Sequence, residues 1–135
     1  MSELRGADAV VRILEGLGVD VVFGLCGDTS LPFYDALVDS KQLHHVLTRD
    51  ERCASFMADA YARITGQIGV SMYTTPGFAN AIPGLTNAMY SESPLLSIAG
   101  SADLAELGRG AMQEIDQVGM AAPVVKESLM VYDAR

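Results

Sequence analysis

The chain has 135 residues, half of them hydrophobic and 19% charged, which suits one domain with a sizeable core and is too short for two. A net charge of −8 argues against a nucleic-acid partner, whose phosphates are met by Lys and Arg. No apolar run approaches the ~20 residues that span a bilayer, and the first residues lack an apolar signal core, so a cytoplasmic protein without a membrane segment is expected.

In chain order, Ala7 to Leu17 reads as a helix, with Ala7, Val10, Val11, Leu14 and Leu17 on one stripe and Gly18 closing it. Val19 to Leu25 is a β-branched run of strand length, and Cys26 to Ser30 has turn chemistry. Asp28, Thr29 or Ser30 can cap the next helix, which has Pro32 in its first turn and runs to about Val38. His44 to Thr48 is a second strand, in which His44 and His45 point to opposite faces. A histidine held by hydrogen bonds is the better reading there than a metal ligand.

The next helix carries Ala54, Ala58 and Ala62 at four-residue spacing, a small-residue stripe that lets it press against a neighbour, and Gly66 ends it. Ile68 to Thr74 is a third strand. Thr75-Pro76-Gly77 reads as a hydroxyl cap with proline at the first helical position, opening a helix that Pro83 and Gly84 weaken or kink. Pro94 to Ala99 is a fourth strand, apolar enough for both sheet faces to be covered. Gln113 to Met120 reads as a short helix, and Val124-Val125 opens a fifth strand at Pro123. Cys26 and Cys53 have neither C-x-x-C nor zinc spacing and are expected to be reduced thiols.

Strands alternating with helices at this spacing predict an α/β fold, a doubly wound, mainly parallel sheet with helices on both faces. No helix is left to cover the last strand, so a single domain over 1–135, cut short at its C-terminal end, is expected. There is no G-x-G-x-x-G, no Walker A sequence and no G-x-S-x-G, which disfavours a nucleotide-binding domain or a serine hydrolase. Candidate chemistry therefore falls on the strand-end loops: Cys26 to Ser30, Asp50-Glu51, and Thr74 to Asn80, with Gly100 to Gln113 as a possible fourth. In a parallel sheet these converge on one edge, and with one carboxylate and little positive charge they suit a neutral or cationic heterocycle better than a phosphate. Glu51 has two readings at this point. Thr48-x-x-Glu51 has capping-box spacing, in which the carboxylate only serves a backbone N–H. Alternatively it is a functional group at a strand end.

Gly18 to Gly24 with Gly27, then Arg49 to Arg63, Thr74-Thr-Pro-Gly-Phe-Ala-Asn80, Met112-Gln-Glu-Ile-Asp116 and Pro123-Val-Val-Lys126 together resemble the N-terminal pyrimidine-binding domain of thiamine diphosphate enzymes. The acetolactate synthase-like, 2-oxo acid decarboxylase group is the nearest branch, and the resemblance covers nearly the whole chain in order. It implies that Glu51 is catalytic, bonding the ring nitrogen of the cofactor's aminopyrimidine so that the thiazolium carbon can lose its proton. It also implies that Thr75, Pro76, Gly77 and Asn80 form the loop against the pyrimidine. Gly27 and Asp28 would approach the cofactor across a dimer interface, and Gln113 would face the substrate.

The implied enzyme is a thiamine diphosphate-dependent lyase or transferase acting on a 2-oxo acid, incomplete as this chain alone. No metal ligand is expected here: Mg2+ and the diphosphate would be held by a domain or subunit outside the chain. The implied assembly is a homodimer or higher oligomer, or a pair with a subunit that carries the diphosphate-binding domain. Two rivals stand beside it, the small subunit of a two-chain decarboxylase and a non-catalytic interaction domain that keeps the fold. The sequence also departs from the family pattern: Asp50 stands where many relatives carry histidine, Thr75 where they carry a glycine, Ala60 for a usual glycine, Phe78 for a small residue and Cys26 for a proline.

Overall fold

The structure, a computed structural model, describes residues 4–132. The termini of the sequence reading, Met1 to Glu3 and Asp133 to Arg135, lie outside the described residues.

Short β-branched runs flanked by turns build a parallel sheet from β1 (Val21–Gly24), β2 (His44–Leu47), β3 (Gly69–Tyr73) and β4 (Leu95–Ala99), in the order β2-β1-β3-β4. Side chains alternate across it. Val22, Val70 and Met72 face α1 (Gly6–Gly16) and α2 (Leu31–Val38), where Val11, Leu14, Phe33 and Leu37 close one core. Phe23 and Tyr73 face the opposite way, toward α3 (Glu51–Thr65), α4 (Thr75–Tyr90) and α5 (Gln117–Ala121), and pack on Ala54, Ala58, Ala81, Leu85 and Ala121. Val22 and Val70 are wholly buried, each worth about 1.5–3 kcal/mol of transfer free energy.

The chain runs from β1 outward to β2, then crosses back to β3 on the other side of β1. The helices change face at that crossing. A crevice therefore opens at the carboxyl ends of β1 and β3, where such sheets bind ligands.

The alanine stripe of α3 presses on β3 as its spacing suggests: a Cβ placed on Gly69 would sit 2.0 Å from the Ala58 carbonyl oxygen. His44 is exposed, and His45 stacks edge-on against Tyr34 with ring centroids 4.8 Å apart, where burial lowers its pKa.

Several expectations are corrected. Val124-Val125 does not open a strand; Ala122–Val124 is a 3-10 turn, and both valines pack on the second core instead of pairing. The helix expected over Gln113 to Met120 is confined to Gln117–Ala121, because Gln113 has left-handed backbone (φ 64) and Asp116 is the residue that caps the helix. Pro83 does not interrupt α4, which runs continuously through it. β4 is not covered on both faces: Leu96 remains 39% exposed at the sheet's edge.

Candidate functional site

The start of α3 decides how Glu51 is used. Asp50 is the N-cap, extended at φ −156 and ψ 136, and its carboxylate accepts the Arg52 N–H at 2.9 Å. The Arg52 guanidinium grips the same carboxylate at 2.7 and 3.0 Å and is the main reason its pKa is held down to about 2. Thr48 is buried, and its hydroxyl donates to the Gly24 carbonyl at 3.3 Å instead of serving the helix. Glu51 is thus the first helical residue rather than the third, and the capping-box reading is overturned.

Freed from capping, the Glu51 side chain crosses to α4. Its Oε2 accepts the Asn80 Nδ2–H at 3.1 Å, and its Oε1 lies over Gly77, where a Cβ would come within 2.6 Å. The carboxylate is half-buried.

The loop after β3 is built from a threonine pair that divides the work. Thr74, not Thr75, caps α4, accepting the Gly77 N–H at 3.2 Å. Thr75, only 1% exposed, turns inward: its N–H donates to Thr29 Oγ1 and its hydroxyl to the Gly100 carbonyl, each at 3.0 Å. Gln117 Nε2 donates to that same carbonyl at 3.0 Å, using its second lone pair. The exits of β3 and β4 and the first residue of α5 are therefore tied at one oxygen, and the loop after β1 joins them through Thr29 Oγ1 on Thr75. Gly27 tucks beneath Thr74, leaving a Cβ there 2.4 Å from the methyl.

Of the residues singled out from the sequence, Glu51, Gly77 and Asn80 come together in one cluster. Thr75 and Gly27 pack on the loops beside it, and Pro76 stands exposed in the first turn of α4. Asp28 is exposed at the start of the 3-10 turn Asp28–Ser30, and the Gln113 side chain is exposed on a separate loop, so neither joins the cluster. Thr29 and Gly100 lie in loops named as candidates but were not singled out, and Gln117 was not anticipated. Thr29 had a signal as a hydroxyl in a strand-end loop, whereas Gln117 had none.

Under the site, Tyr73 is fully buried with its hydroxyl bonded to Ser71. Burial pushes its phenol up to about 12, and the Glu51 charge adds to this. The phenol stays a neutral hydrogen-bonding group at neutral pH. Among the described residues no three His, Cys, Asp or Glu side chains gather in a way that could hold a metal ion. No helix there is long and apolar enough to cross a membrane.

A parallel α/β domain whose strand-end loops converge beside one carboxylate at the switch of strand order is a small-molecule-binding architecture. The chain belongs to the thiamine pyrophosphate enzyme family through its N-terminal TPP binding domain, which matches residues 4–120. It is 43% identical over 132 residues to an acetolactate synthase of Mycobacterium bovis, covering 97% of this chain and 21% of that protein. It is 44% identical over 132 residues to the acetolactate synthase isozyme 3 large subunit of Escherichia coli, with 97% of this chain and 23% of that one covered. A probable acetolactate synthase large subunit of Methanocaldococcus jannaschii is 40% identical over 129 residues, covering 95% of this chain and 22% of that protein. The chain thus spans about a fifth of the length of the relatives it matches.

Proposed function

We propose that residues 1–135 form the pyrimidine-binding half of a thiamine diphosphate-dependent enzyme, a lyase or transferase of the acetolactate synthase-like kind acting on 2-oxo acids by decarboxylation, carboligation or both. The observation that carries this is Glu51: a half-buried carboxylate with no capping duty, steered by Asn80 over a glycine floor. An aminopyrimidine fits that place. Gly77 leaves the space in which the Glu51 carboxylate lies, and Pro76 stands exposed beside it to meet a ring face. Glu51 shares a proton with the ring nitrogen, and Asn80 keeps the carboxylate aimed while that proton moves. Thr75, Thr29 and Gln117 hold the loop from behind, so the ring face is preorganised. Gly27 and Asp28 lie on the neighbouring loop, and Gln113 offers a neutral amide able to hold a substrate carbonyl or carboxylate.

Bound there, thiamine diphosphate would supply a thiazolium carbon as the nucleophile toward the oxo group and as the sink for the electrons of decarboxylation. The reading assigns the diphosphate and its Mg2+ to oxygen ligands outside this chain, on a second domain or a partner subunit. It places the protein in the cytoplasm, where the exposed free thiols of Cys26 and Cys53 stay reduced. An interaction module without catalysis has no use for a carboxylate held in this way.

The test is Glu51→Gln in the full-length protein. Glutamine keeps the size and a hydrogen bond but cannot exchange the proton, so deuterium exchange at the thiazolium carbon should slow by ~10²-fold or more. The melting temperature should hardly move, because the cap is Asp50. Equal exchange rates in two folded proteins would remove the assignment.

A further inference from the structure

From Gly100 to Asp116 the chain has neither helix nor strand, yet it is not loosely held. The Glu114 carboxylate accepts backbone N–H groups from Gly108 at 2.5 Å, Gly110 at 3.1 Å and Ala111 at 3.0 Å. Its own N–H returns a bond to the Ala111 carbonyl at 3.1 Å. Gly108 and Gly110 are left-handed (φ 78 and 74), which aims N–H groups inward around an anion as in a backbone nest. No salt bridge among the described residues involves this carboxylate, so backbone donors alone satisfy it. Those donors also pull its pKa below the usual carboxylate range.

The residue just before Glu114 is Gln113, one of two non-glycine residues with positive φ among those described. Glutamine does not choose that conformation unaided; the surroundings must impose it. On the far side Asp116 accepts the Gly119 N–H at 2.8 Å and Gln117 is tied to the Gly100 carbonyl. Gln113 therefore stands between two anchored points.

We infer that Glu114 is a positioning residue: by gathering the N–H groups of residues 108–111 it closes the loop and holds Gln113 in its left-handed conformation, presenting the amide to substrate. The inference rests on the substrate role proposed for Gln113.

The test is Glu114→Gln in the full-length protein, read in two ways. The change is nearly isosteric but turns an NH2 toward backbone donors, so amide hydrogen exchange across 108–111 should accelerate. With pyruvate as the 2-oxo acid, KM should rise about tenfold, the scale of one charge-assisted hydrogen bond, while kcat and the affinity for thiamine diphosphate stay within about twofold. In a Gln113→Ala background, Glu114→Gln should add less than about twofold, because it acts through Gln113. Gly110→Ala strains the same loop by its left-handed φ while leaving the Glu114 side chain itself unaltered, and should raise KM alike, which keeps the test valid should Glu114→Gln fold poorly.

If Gln113→Ala raises KM but neither loop variant does, the substrate reading survives and this inference falls. If the amides respond but Gln113→Ala leaves KM unchanged, the substrate role fails and takes the inference with it. Multiplying effects in the double variant, or unaltered exchange across 108–111, also overturn it. A wild type that turns over neither pyruvate nor any longer, branched or acidic 2-oxo acid in a panel defeats the proposed function and this inference together.

Discussion

Glu51 and Gly77 form a matched pair, because the carboxylate occupies the volume that any side chain at Gly77 would need. A Cβ there would meet Oε1 at 2.6 Å, Cγ at 2.8 Å and Cδ at 2.9 Å, all in one flexible side chain. Gly77→Ala should therefore be relieved by Glu51 swinging away from Asn80, not by distortion of the backbone. Gly77 also lies inside α4, where alanine is favoured over glycine by ~1 kcal/mol. The expected outcome is an unchanged or higher melting temperature together with at least about tenfold weaker thiamine diphosphate binding by calorimetry. Unchanged affinity would remove Gly77 from the cofactor site. At this scale the residue pattern alone located the carboxylate but left it between a cap and a functional group. Thr48 and Asp50 are both capping types, and only the helix's first hydrogen bonds show that Asp50 is chosen and Thr48 is turned to Gly24.

Two turns further along α4, the same substitution should have the opposite sign. A Cβ on Gly84 would meet Ser55 Oγ at 2.1 Å, its Cβ at 2.5 Å and its backbone carbon at 2.9 Å. Ser55 is wholly buried and its backbone cannot rotate aside, so α3 and α4 must separate. Gly84→Ala should destabilise by about 1–3 kcal/mol, outweighing the ~1 kcal/mol gain in helix propensity. Urea denaturation measures it; a neutral or stabilising change would refute the close-contact account. From sequence, Gly84 beside Pro83 looks like a helix weakness, since propensity is local and the contact that needs glycine is not. Asp59 shows the same limit. It is 2% exposed and satisfied by Asn87 and Ser93, each at 2.5 Å and 28 and 34 residues away, with Arg63 one turn on at 3.5 Å. Strand and helix periodicities were legible because they repeat within each element. The supposed fifth strand was not, because Val124-Val125 has β propensity but no neighbour to pair with among the described residues.

For the molecule as a whole, the question is what faces outward from α3 and α4, which pack side by side over the sheet. The alanine stripe suggested by the sequence as a neighbour-facing surface is used up internally, since Ala54, Ala58 and Ala62 are at most 1% exposed. What remains outside is large and apolar: Phe56 at 43%, Met57 at 40%, Ile64 at 85%, Met89 at 44% and Tyr90 at 88% exposed. Single exposed apolar residues are ordinary, but several on two adjoining helices mark a surface for association. We predict that the full-length protein is at least a dimer and that this helix pair lies in the interface, with two-fold symmetry setting each pair against its copy. Tyr90→Glu separates this from mere surface greasiness. In a monomer so exposed a residue should tolerate the change to within about 0.5 kcal/mol. In an isologous interface the charge enters twice and is desolvated without a partner, which costs far more. Sedimentation should then show the assembly falling apart while the fold survives. A wild-type protein that sediments as a monomer and still turns over, or a Tyr90→Glu variant that associates normally, would place the interface elsewhere or dispense with it.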